Sequence, residues 1–166
     1  LLVGLGKEPD FGDKAYRGAL AASVRALKET GSRDVLLTLS ELAVPRRNAA
    51  WRVRQGALIV EDALFRADQL KSKRDSSAPV PGGIAFSVPL KDAGAARAAL
   101  AQGLAISRGM NAARELGNLP ANICTPTYLA QQAQKLAKEH KLKCEVLDRA
   151  RMEKLGMGSL LAVGRG

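Results

Sequence analysis

One histidine, two cysteines and an aromatic content of 4% are what this sequence has least of, and each scarcity excludes a class of chemistry. With His140 alone, neither a His-rich zinc site nor any arrangement needing a second histidine can be assembled. His140 lies between Glu139 and Lys141 at the polar end of a helix, and reads as solvated rather than as the base of a Ser-His-Asp triad. Cys124 and Cys144 are too few for a disulfide scaffold and form no CxxC pair, so both read as buried, reduced thiols of a cytosolic protein. Cys124 precedes a helix start that would lower a thiol pKa, but His140 is about 24 Å away along a straight helix and cannot serve as its base. No apolar run approaches the roughly eighteen residues that span a bilayer, and no secretory signal is visible. The GxSxG, GxxxxGK and HExxH patterns do not occur. Gly4 and Gly6 begin a dinucleotide-type loop, but Pro9 stands where its third glycine belongs.

What is present is a chain of 166 residues, 46% hydrophobic, with enough apolar side chains to bury a sizeable core. Leu1 begins inside an apolar run and GRG follows another, SLLAV, so the sequence reads as a portion of a larger protein. The net charge of +10 is spread along the chain: residues 1–92 carry 15 Lys/Arg against 11 Asp/Glu, and residues 93–166 carry 11 against 5. Lys71, Lys73 and Arg74 are the one tight cluster and the candidate nucleic-acid contact, although such a loop is more simply a solvated face. Glu61 and Asp62 are adjacent on a helix and therefore point different ways.

Leu1 to Leu5 reads as a short buried strand. Tyr16, Leu20, Val24 and Leu27 recur at helical spacing and predict a helix ending near Gly31, followed by a strand from Val35 to Leu39. Asn48 is placed to cap a mostly covered helix carrying Trp51, Val53, Ala57, Val60 and Leu64, with Trp51 read as core. Lys71 to Gly83 reads as a surface loop and Ile84 to Leu90 as a returning strand. The order implies an N-terminal α/β domain, its mixed, mainly parallel sheet flanked by helices.

From Asp92, read as a cap, a long helix is expected to Leu116, with Ala99, Gly103, Ile106, Met110 and Ala113 on one face and Ala96, Leu100 and Leu104 beside it. Gly117 ends it, and Thr125 with Pro126 starts the next helix: the hydroxyl accepts a free backbone N–H, and proline gives up a donor that had no partner. Leu142, Cys144 and Val146 alternate as a strand, Asp148 caps a short helix closed at Gly156, and Leu160 to Val163 begins another strand. The expected organisation is an N-terminal α/β domain over 1–91, a linker helix over 92–117 and the beginning of a second α/β/α domain over 118–166.

The segment ELGNLPANICTPTYLA, from Glu115, resembles the stretch that opens the catalytic domain in the leucyl (cytosol) aminopeptidase family, bacterial members included. MEKLGMGSLLAVGRG resembles the glycine-rich strand leading into that domain, and the segment from Ser40 to Lys71 resembles the family's variable N-terminal domain. The resemblance implies a cytoplasmic exopeptidase that removes N-terminal Leu and other residues from peptides, uses two divalent ions (Mn or Zn), and assembles as a homohexamer. The family's ligand segments, of VGKG and NTDAEGR type, do not occur here, so no catalytic or metal residue carries over and this portion is expected to bind no metal and to be inactive alone. The alternative is a DNA-binding or oligomerisation module of a bifunctional aminopeptidase.

Overall fold

The computed structural model describes residues 1–67, 70 and 81–164. It divides into two compact units, Leu1–Asn118 and Leu119–Gly166.

The first unit is built on α1 (Asp13–Thr30), whose face of Tyr16, Leu20, Val24 and Leu27 is buried throughout. Burying each of the three aliphatic side chains among them is worth about 1.5–3 kcal/mol. Gly31 ends the helix at φ 66°, a left-handed turn that costs glycine no side-chain clash. β1 (Asp34–Leu37) then pairs in parallel with β2 (Gly83–Phe86), with Asp34 opposite Gly83 and Leu37 opposite Phe86. Parallel neighbours require a crossover, and α2 (Ala49–Leu64) supplies it. One core cluster joins Val24 and Leu27 to Leu37 and Val60, with Ile84 and Phe86 packed against it. A second joins Tyr16, Leu20 and Val44, covered by Phe11, Leu39 and Trp51.

α3 (Ala93–Gly117), about 37 Å long at 1.5 Å per residue, runs beside α2. A Cβ at Gly103 would lie 2.8 Å from the Cβ of Ala57 and 3.1 Å from the Arg54 carbonyl oxygen, so glycine is what allows the two backbones to meet there. Further along both helices, Arg114 pairs with Asp62 and sits 5.5 Å from the Phe65 ring centroid. Residue numbers rise together on the two sides, so the helices run parallel. The buried stripe of α3 is Ala96, Ala99, Gly103 and Ser107, and the Ser107 hydroxyl has no hydrogen-bond partner among the described residues.

In the second unit, Thr125 Oγ1 accepts the Tyr128 N–H at 3.2 Å and α4 (Pro126–His140) follows, ending at Lys141 with φ 55°. Asp148 caps α5 (Arg149–Lys154) through a 2.8 Å bond from the Arg151 N–H, and Gly156 turns the chain at φ 69° into α6 (Gly158–Val163). No described helix is long and apolar enough to cross a membrane.

The fold class is mixed α/β, with a smaller sheet than the sequence suggests: two strands among the described residues. Leu1 to Leu5 is not a strand; Leu2 is wholly exposed and the run joins no ladder, without which apolar residues do not make a strand. Leu142 to Val146 likewise lacks a partner, leaving Leu142 and Val146 exposed, and Leu160 to Val163 is helical. β1 stops at Leu37 because Leu39–Glu41 turns as a 3-10 helix, and β2 stops at Phe86, ahead of Pro89. Asp92 makes no capping bond, since it already closes a 3-10 turn with helical ψ of −7°, whereas a capping residue is extended. On α3, Ile106, Met110 and Ala113 are exposed: the seam with α2 is close, and it selects the small side chains instead.

Candidate functional site

Three arginines line one cavity just before and within the first turns of α2. Val44 to Arg47 forms a tight turn, closed by the Arg47 N–H on the Val44 carbonyl at 3.0 Å. Pro45 takes its first corner, and Arg46 takes the second at φ 61°, where glycine is the usual residue. Asn48 then caps α2, its Oδ1 accepting the Trp51 N–H at 2.9 Å. The helix brings Trp51 and Arg54 to the same side as Arg46 and Arg47, and these four with Asn48 line an open cavity of about 570 Å3.

Each arginine is held differently. Arg47 donates through Nε and Nη2 to the Asp13 carboxylate, at 3.0 and 2.7 Å, which ties the turn to α1. That hydrogen bond is the main reason the Asp13 carboxyl titrates below its ordinary range and the Arg47 guanidinium above its own. Arg47 also lies 4.9 Å from the Trp51 ring centroid, with Arg17 at 5.7 Å, while the Tyr16 ring packs on Trp51 at 5.7 Å. Arg52 points away and braces the scaffold, donating to the carbonyls of Ser40 at 2.8 Å and Arg47 at 3.1 Å. Arg46 and Arg54 make no hydrogen bond or ion pair with the described residues. The wall therefore presents two uncompensated guanidinium groups beside a third that is already paired.

The residues singled out from the sequence lie elsewhere. Lys71, Lys73 and Arg74 fall outside the described residues. His140 is exposed at the end of α4, 4.0 Å from the Glu139 carboxylate. Both cysteines are free, but neither is buried as expected: Cys124 is half-buried in the turn before α4, and Cys144 is exposed because its segment joins no sheet. Asp62 is engaged by Arg114. Among the described residues no three of His, Cys, Asp and Glu come together as a metal centre requires. The arginine cavity was legible in outline: PRRNAAWRVR holds its residues within ten positions, and one turn of helix closes the gap between Trp51 and Arg54.

A β-α-β unit that carries a long helix and gives way to a second, helical unit defines a mixed α/β protein built in two bodies. The same architecture occurs in the structure of the bottromycin maturation enzyme BotP in complex with Mn, at a TM-score of 0.80 and 33% identity, covering 99% of this chain and 33% of that one. A further BotP structure matches at 0.76 and 32% identity, over 93% of this chain and 31% of that one. Models of the cytosol aminopeptidase family match in two pieces, the N-terminal domain over residues 1–74 and the catalytic domain over 111–166. Probable cytosol aminopeptidases of Dechloromonas aromatica and Nitrosospira multiformis are 54% and 49% identical over the whole of this chain. The chain belongs to the cytosol aminopeptidase family. It spans 34% and 33% of the length of those two relatives.

Proposed function

We propose that this chain is part of a metal-dependent leucyl aminopeptidase of the cytoplasm, which hydrolyses N-terminal Leu and other residues from peptides and works as a homohexamer. The observation that carries the reading is the match of two domain models of one peptidase family, the second of them its catalytic domain, to successive parts of one chain. A divalent ion is supported by the BotP complex with Mn; for this protein Mn or Zn is proposed. Two such ions would activate a water and polarise the scissile carbonyl.

The described residues of this chain do not fit that centre, since they offer no three convergent ligands. No hydrolytic step is assigned to them. Their part is structural: residues 1–91 form the N-terminal α/β domain, residues 92–117 the linker helix, and residues 118–166 the beginning of the catalytic domain. The test is hydrolysis of leucinamide. The complete polypeptide is expected to turn it over and to lose that activity with a chelator, while the 166-residue chain alone shows none. Chelator-sensitive turnover by the 166-residue chain would overturn the division of labour, and an inactive complete polypeptide supplied with Mn or Zn would overturn the peptidase reading.

A further inference from the structure

We infer that the cavity lined by Arg46, Arg47, Asn48, Trp51 and Arg54 is a binding site for a small dianion of the phosphate class. Four observations lead there. The cavity is open to solvent, so a small ion reaches its three arginines directly. Arg46 and Arg54 bring two guanidinium groups with no carboxylate partner among the described residues, and the fork geometry of guanidinium suits the oxygens of a tetrahedral oxyanion. The carboxylate that stands close, Asp13, is spent on Arg47, and the Asn48 oxygen is spent on the Trp51 N–H. Both groups that would repel an anion are thus turned to the scaffold.

The same geometry decides against other ligands. A monocarboxylate balances one of the two free charges. A nucleobase needs a bare aromatic face, and the Trp51 ring is already met by Arg17, Arg47 and Tyr16. A nucleic-acid backbone is read by a stripe of cations along its length, whereas Arg46, Arg47 and Arg54 gather at one spot.

The experiment is calorimetric titration of inorganic phosphate into the intact polypeptide at constant ionic strength, with acetate and a short single-stranded oligonucleotide as comparison ligands. Arg46→Gln and Arg54→Gln are each expected to weaken phosphate binding about tenfold, the loss of one charge-assisted hydrogen bond. Arg25→Gln, on the exposed side of α1 where Arg25 bonds its own helix at Ala21, is expected to leave it unchanged. Unaltered circular dichroism of both cavity variants separates a lost site from a lost fold. Phosphate binding that survives both cavity substitutions, falls equally with Arg25→Gln, or is matched by acetate overturns the inference. So does binding of the oligonucleotide without binding of phosphate, which would assign the charge to nucleic acid.

Discussion

Tyr16 ties the first unit together at the scale of a single residue. Its ring is fully buried between Phe11 and Trp51, and its hydroxyl donates to the Arg52 carbonyl at 3.2 Å, joining α1 to α2. Burial, opposed only by the Arg52 charge, pushes the phenol up from 10.0 to about 12. The unfolded chain therefore loses this proton first as pH rises. The stabilisation linked to Tyr16 is complete below pH 10 and is lost progressively up to about 12, amounting to some 2–3 kcal/mol at most. Tyr16→Phe is expected to cost about 1 kcal/mol at neutral pH through the lost hydrogen bond, and to flatten the alkaline fall in the urea midpoint. A midpoint that falls as steeply in the variant between pH 10 and 12 would show that another group controls that limb. Asp13 acts in the opposite direction. Its lowered carboxyl contributes stability above its unfolded value of 3.8 and loses it as pH falls through the folded value.

At the scale of elements, α2 and α3 meet closely at Gly103. Gly103→Val would drive two methyl groups into Ala57 and the Arg54 backbone, neither of which can swing aside. The expected loss is about 1–3 kcal/mol, read as a lower thermal midpoint, while Gly109→Ala, in open space on the same helix, is expected to be harmless or slightly stabilising. How far the elements were legible in the sequence follows from what each one depends on. The caps at Asn48, Thr125 and Asp148 are local bonds between a side chain and the N–H three residues on, so sequence spacing alone announces them. The face of α1 was legible because it is apolar and wide. Leu1 to Leu5, Leu142 to Val146 and Leu160 to Val163 are not the strands the sequence suggests, because a strand needs a distant partner and a short apolar run fits helix or strand equally. The buried face of α3 is hidden in the sequence because Ile106 and Met110 carry more hydrophobicity than the Ala, Gly and Ser that the seam selects. Of the arginine cavity, the composition was visible; its pairing pattern, which leaves Arg46 and Arg54 free, exists only once Asp13 has been brought to Arg47.

At the scale of the whole molecule, apolar surface is distributed unequally. The second unit exposes Leu129, Leu136, Leu142, Leu155, Leu160 and Val163, while its buried residues include only Ala137 from α4. Exposure of so many large apolar side chains in so short a segment is the mark of a surface that another part of a protein covers. This rests on the proposed function, in which the remainder of the catalytic domain supplies that cover. The isolated 166-residue chain is expected to be retained on a hydrophobic-interaction column at lower salt than the complete polypeptide. Equal retention of the two would mean that the apolar surface stays open in both.

The environment of Trp51 has a spectroscopic consequence. It is the only tryptophan in the sequence, and two guanidinium groups stand within 6 Å of its ring. Cations so near an excited indole shift its emission, so the cavity carries its own optical label. Its emission reports on the packing around the ring, Arg17, Arg47 and Tyr16 together, without any dye or engineered probe.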